Sequence, residues 1–208
     1  MVQDGLAVNV GPNTTGTDAL FKLADPSEPA AMTIYTSAAL GAVLNVLGGG
    51  GIAGFTPEDL GIGPMPGPTV NPGVLVGGAT LWIVADKGDE RTAASWDYIK
   101  FLVEPEQQSA WAAATGYVPV RESAVDLDPI RATYANDPRF RVAFDQLTTS
   151  ASTPTATGPV LGPLREIRVV TSRAVQDVLT CGDPAAALAN AAAQADSLIA
   201  AYNANAGG

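Results

Sequence analysis

The chain has 208 residues, 47% hydrophobic and 15% charged, which suits one large or two small folded domains and excludes disorder by composition. A formal net charge of -10 with no clustered Lys and Arg argues against a nucleic-acid partner, although a small anion is still admissible because a few local donors decide such a site. With no histidine and one cysteine, Cys181, the chain can build neither a Ser-His-Asp nor a Cys-His device, nor an intrachain disulfide.

Residues 1–10 lack the basic start and apolar stretch of a secretory signal, so either the protein is cytosolic or a targeting segment lies outside this sequence, and no run is long enough to span a membrane. A polar stretch with the turn Gly11-Pro12-Asn13 leads to a short helix predicted over 17–24, with Leu20 and Leu23 on one face. The apolar run 30–35 reads as a short strand. The spacing of Leu40, Val43, Leu44 and Leu47 then predicts a helix over 37–47, ended by glycines 48–51. Five prolines, Pro57, Pro64, Pro66, Pro68 and Pro72, mark residues 55–73 as a connector with at most one short strand at 60–62. The clearest strand is predicted over 73–85, interrupted by Gly77-Gly78, and a charged turn follows over 86–91.

Helix signals dominate the remainder. Residues 92–103 carry Tyr98, Phe101 and Leu102 and stop at Pro105; residues 106–115 end at a C-cap glycine, Gly116. Asp128-Pro129 and Asp137-Pro138 each pair an N-cap with a proline at the first helical position. A Ser/Thr/Pro/Gly loop over 148–162 precedes a long helix that follows Pro163 and ends near Gly182. A last helix runs from Asp183-Pro184 to about Tyr202, before Gly207-Gly208. There is no internal repeat, and the pattern is that of a helix-rich α/β protein.

No constellation points to catalysis. The glycines 48–51 lack the Lys-Ser/Thr of a phosphate loop, and Asp86, Asp89 and Glu90 beside Lys87 and Arg91 read as a solvated turn, as do Asp126 and Asp128. No cofactor or metal is expected. Cys181 reads as a partly buried residue near a helix end.

Four positions could face a ligand. At 3.6 residues per turn, Arg168 falls inside the apolar stripe of Leu164, Ile167, Val170, Ala174, Val175, Val178 and Leu179. It is either a donor fork for a phosphate or carboxylate or half of a structural ion pair. Gly78, within Gly77-Gly78, marks a bulge or a close backbone approach. Ser37, after Thr36, stands where strand turns to helix, as an N-cap or as a donor to an anion. Tyr117 offers a hydroxyl and a ring face from a tight connector, or simply packs there.

These positions also carry a resemblance. Residues 77–121, GGATLWIVADKGDERTAASWDYIKFLVEPEQQSAWAAATGYVPVR, resemble the family 1 extracellular solute-binding proteins, with a Gly-Gly strand, a Pro-Glu turn, a Trp-bearing helix and a TGY-x-P turn in order. EPAAMTIYTSAAL over 28–40 and PVLGPLREIRVV over 159–170 are similar to flanking segments of the same family. The likeness is strongest to its glycerol-3-phosphate-binding branch, whose ligand contacts match Ser37 (or Thr36), Gly78, Tyr117 and Arg168 here. Val160 stands where some relatives carry a base, which admits a phosphodiester beside a phosphomonoester.

The resemblance implies the C-terminal lobe of a two-lobed periplasmic-binding-protein-like fold plus the segment that crosses into the other lobe. Residues 1–55 and 120–208 would form the C-lobe and 56–119 the crossover. It implies a substrate-binding component of an ABC importer rather than an enzyme. The ligand would be glycerol-3-phosphate, a glycerophosphodiester such as glycerophosphocholine, or a sugar, and the partner a membrane permease. The location would be extracytoplasmic, in the periplasm or at the cell surface, with lipid anchoring through an upstream segment among the forms of the family. A missing N-terminal half, or a second copy, would cover the face that includes Trp82, Tyr98, Phe101 and Trp111, which is therefore expected to be partly exposed. A hydrolase and a structural interaction module without ligand are the competing classes.

Overall fold

A computed structural model describes residues 1–11, 16–67, 73–150 and 158–206. The turn residues Pro12 and Asn13, the prolines Pro68 and Pro72, residues 151–157 of the loop expected over 148–162, and Gly207-Gly208 lie outside the described residues. The chain divides into two compact units, Met1–Ile34 with Pro159–Gly208 and Tyr35–Gly158.

In the first unit a short helix, α1 (Thr17–Phe21), runs into a 3-10 turn, Lys22–Ala24. Lys22 bonds Asp25 at 2.7 Å, and the Asp25 carboxylate also accepts from Ser27, which holds its pKa far below the usual carboxylate range. Two long helices carry the unit, and in chain order they are the seventh and eighth. They are α7 (Leu164–Leu179) and α8 (Pro184–Ala206). Val170 and Ala174 of α7 are buried against Ala191 of α8, with Ala187 and Leu198 alongside. Small side chains let these helices meet closely. Asp183 caps α8 by accepting from the Ala186 amide at 2.7 Å.

The second unit holds α2 (Leu40–Gly48), α3 (Asp89–Leu102), α4 (Pro105–Thr115), α5 (Ile130–Asn136) and α6 (Val142–Thr149). Its core joins Ala112 of α4, Ile130 and Tyr134 of α5 and Phe144 of α6, with Ala113, Val118, Val125 and Phe140 packed on it. The rings of Tyr134 and Phe144 stand 6.3 Å apart and tilted, and the Arg141 guanidinium lies 5.9 Å from the Tyr134 ring centre.

Ser109, fully buried, ties α4 to the turn before α5. Its hydroxyl donates to the Leu127 carbonyl at 3.0 Å and accepts from the Ile130 amide at 3.1 Å. Arg139 is oriented by Asp137 at 2.7 Å and 2.8 Å, and its guanidinium donates to the carbonyls of Pro57 and Leu60, fastening the start of the proline-rich connector. Gln146 serves the connector as a strand would. Its Oε1 accepts from the Met65 amide at 2.8 Å and its Nε2 donates to the Met65 carbonyl at 2.9 Å.

The predicted helices all appear, within a few residues of their expected ends, and the expected strands do not. Among the described residues, 30–35, 60–62 and 73–85 form no ladder. A strand is defined by its partner's amides and carbonyls, and 73–85 finds none here. Of the two expected Asp-Pro caps, Asp137 accepts from the Arg139 amide as predicted. Asp128 instead turns outward to pair with Arg131 at 2.9 Å. Cys181 is exposed rather than partly buried, with Gln3 its polar neighbour at 3.7 Å.

Candidate functional site

The second unit brings two of the four expected residues together. Residues Ser37–Ala39 form a 3-10 turn that leads into α2, and Thr36 is the cap, its hydroxyl accepting from the Ala38 amide. With that role taken by Thr36, the partly buried Ser37 hydroxyl has no bonding partner among the described residues. Gly116 ends α4 in the left-handed region at φ 89°. A Cβ there would stand 2.6 Å from the Ser37 carbonyl oxygen, and one on Gly41 would stand 3.0 Å from the Ala114 carbonyl. Two bare Cα positions therefore let the start of α2 lie against the end of α4, which sets Ser37 beside Tyr117.

Tyr117 is held from several sides. Its amide donates to Thr115 Oγ1 at 3.2 Å, and its ring tilts against Trp111 with centroids 6.2 Å apart. Val118 packs on the core. Gln108 Nε2 donates to the Leu102 carbonyl at 2.7 Å while its Oε1 accepts from the Val120 amide at 3.0 Å, which pins the turn to the α3–α4 corner. The ring is half exposed and its hydroxyl bonds to no described residue. The roles of Gln108 and Gly41 were not read from the sequence, because nothing local marks a glutamine that bonds a distant amide.

Gly78 lies in the same unit, in the open run 73–84. A Cβ built on it would meet no atom within 4 Å, so its backbone is accessible. Nothing among the described residues gathers it to Ser37 and Tyr117.

Arg168 belongs to the first unit, in the second turn of α7. The helical spacing puts it inside an apolar stripe, but the stripe is wider than the surface α8 covers. Ile167, Val170, Ala174 and Val178 face inward or partly so, whereas Val175 is 55% exposed and Arg168 is exposed with it. Its guanidinium makes no ion pair among the described residues, so the structural ion pair weighed for it is not found there. Arg165 and Arg173 are likewise exposed and without a carboxylate partner among the described residues. On the same side of α7, one turn on, Thr171, Ser172, Val175, Gln176 and Leu179 line an open cleft of about 310 Å³ with Asn9 and Gly11.

The described residues hold no group of three His, Cys, Asp or Glu side chains that could bind a metal. Asp128, read above as part of a solvated turn, is committed to Arg131, which holds its pKa below the usual range. No described helix is long and apolar enough to cross a membrane.

A model of the bacterial extracellular solute-binding protein family matches residues 2–142. The chain belongs to that family. It is one of binding proteins rather than enzymes, and extracytoplasmic. Among curated relatives, the sn-glycerol-3-phosphate-binding periplasmic protein UgpB of Yersinia pestis is 30% identical over 146 residues, 68% of this chain and 33% of the relative. The protein of the same name from Escherichia coli O6:H1 is 30% identical over 106 residues, 51% of this chain and 24% of the relative. The chain thus spans about a quarter to a third of the length of these relatives.

Proposed function

We propose that this chain contributes one wall of the ligand site in the substrate-binding component of an ABC importer. The ligand is glycerol-3-phosphate or a glycerophosphodiester such as glycerophosphocholine. The observation that carries the reading is the approach of the Ser37 backbone to Gly116, next to Tyr117, together with two hydroxyls, those of Ser37 and Tyr117, that have no partner among the described residues. The UgpB relatives are named for glycerol-3-phosphate, which supports the ligand class. In this reading Ser37 and Tyr117 donate hydroxyls, Gly78 a backbone amide and Arg168 a charged fork to the phosphate. Two lobes close by a hinge, and the closed form presents the ligand to membrane permease subunits.

The crossing between lobes begins near residue 56 and includes 73–84. Its return is read as ending at 119, and Ala112 of α4, on that stretch, shares a core with Ile130 and Tyr134. The side chains expected on its uncovered face are open to solvent: Trp82 is 84% exposed, Tyr98 61% and Trp111 59%. The N-terminal half of a longer protein is the natural cover. A sugar is the second reading, favoured by the half-exposed Trp111–Tyr117 ring pair, which offers a stacking face.

Calorimetric titration with glycerol-3-phosphate, glycerophosphocholine and maltose separates these readings. Heat of binding with a phosphate-bearing ligand and none with maltose is expected. Maltose binding without phosphate-ligand binding contradicts the proposal in favour of the sugar reading.

A further inference from the structure

The cleft beside α7 has walls of one chemical kind. Asn9 reaches it from the N-terminal segment, and Thr171, Ser172, Val175, Gln176 and Leu179 from the helix, around a volume of about 310 Å³. That meets the lower end of the range for small-molecule sites, roughly 300 Å³. Among the described residues no charged side chain lines it. Its polar groups are amides and hydroxyls that keep bonding capacity. Asn9 Oδ1 accepts from the Gly11 amide at 2.9 Å, which leaves its Nδ2 to donate. Thr171 Oγ1 commits its proton to the Ile167 and Arg168 carbonyls, each at 3.1 Å, and can still accept. The Ser172 and Gln176 side chains have no bonding partner among the described residues, and each can both donate and accept. Val175 and Leu179 add an apolar strip between them.

We propose that this cleft is a subsite for a neutral, hydroxyl-rich alcohol, esterified to a phosphate that Arg168 holds. The mixture of free groups selects the occupant. An ammonium only donates and a carboxylate only accepts, so either would leave part of the lining unmet, whereas a hydroxyl does both. The C–H face of a polyol also rests on Val175 and Leu179. The helix supplies the link to the phosphate. Ser172, Val175 and Leu179 follow Arg168 at four, seven and eleven residues, which keeps all four on one side of α7. Arg168 stands about 6 Å of helix rise before Ser172 and about 12 Å before Gln176. Its guanidinium, a phosphate and a six-carbon polyol on that phosphate span this distance together. The inference rests on the reading of Arg168 as a phosphate fork. It narrows the ligand to a phosphodiester whose second alcohol is a polyol, since a choline ammonium meets neither a carboxylate nor an aromatic ring among the lining residues.

Calorimetric titration of the 208-residue chain compares two diesters of equal charge, glycerophosphoinositol and the methyl ester of glycerol-3-phosphate. The inositol diester is expected to bind about tenfold more tightly, the order that one or two extra hydrogen bonds give at their ordinary net worth. Ser172→Ala with Gln176→Leu, neither of them in the α7–α8 core, should bring the two diesters within about twofold and leave the methyl ester's affinity where it was. Arg168→Ala should weaken both diesters by a similar factor. Equal or reversed affinities in the parent, or a gap that survives the double variant, overturn the subsite and leave the phosphate reading standing. Arg168→Ala that spares both diesters separates the cleft from the phosphate and overturns the proposal too. Failure of both diesters and of glycerol-3-phosphate to bind overturns the phosphate reading and the subsite with it.

Discussion

Replacing Ser109 by Ala removes one oxygen that serves two elements. The Leu127 carbonyl loses the hydroxyl but keeps the Arg131 amide, which donates to it at 3.0 Å. The Ile130 amide has the Ser109 oxygen as its partner, at 3.1 Å, and both residues are completely buried. The cost therefore falls mainly on one buried N–H. Leaving such a donor unsatisfied costs about 1–3 kcal/mol, more than the roughly 1 kcal/mol net worth of an ordinary hydrogen bond. Urea unfolding followed by circular dichroism should show Ser109→Ala less stable by that amount with an unchanged denaturant slope. Because Ser109 ties α4 to the core, the fluorescence of Trp111 should also become more mobile. A loss below about 0.5 kcal/mol would refute the reasoning, since it would mean that the amide finds another partner at little cost.

Three further outcomes follow from the same geometry. Gly116→Ala puts a methyl 2.6 Å from the Ser37 carbonyl in a left-handed conformation, and should destabilise by at least about 1 kcal/mol while moving the Ser37 and Tyr117 amide resonances together. Ile130→Ala empties the centre of the second core and should cost about 2–5 kcal/mol in the same urea assay. The Arg139 guanidinium holds the Asp137 carboxyl below the usual carboxylate range. A depressed folded pKa gives stability that is fully present above the unfolded value of about 4 and is lost as pH falls through the folded one. Urea midpoints should therefore drop on acidification below about pH 4, and Asp137→Asn should flatten that part of the profile.

The helices were legible because their ends are written locally. Gly116 can only stop α4 in the left-handed region, and Asp137-Pro138 and Asp183-Pro184 start helices with groups a few residues apart. The strand over 73–85 was not, because composition gives β propensity but the partner that makes a strand is non-local. Arg168 shows the same limit. A helical wheel gives its angle within a stripe of apolar residues, but only the packing of α8 decides which part of the stripe is covered. In the sequence, only the family resemblance links Ser37 with Tyr117. The physical reason for their adjacency, two glycines at a helix–helix contact far apart in sequence, leaves no local mark.

The central claim is that Ser37, Gly78, Tyr117 and Arg168 face one phosphate-bearing ligand. The direct test is a titration of the isotope-labelled 208-residue chain with glycerol-3-phosphate, followed by the backbone amide resonances of these four residues. The account predicts that all four shift along one saturation curve and that Arg168→Ala weakens the curve for the other three. Saturation without movement at these positions, or shifts unaffected by Arg168→Ala, would contradict it.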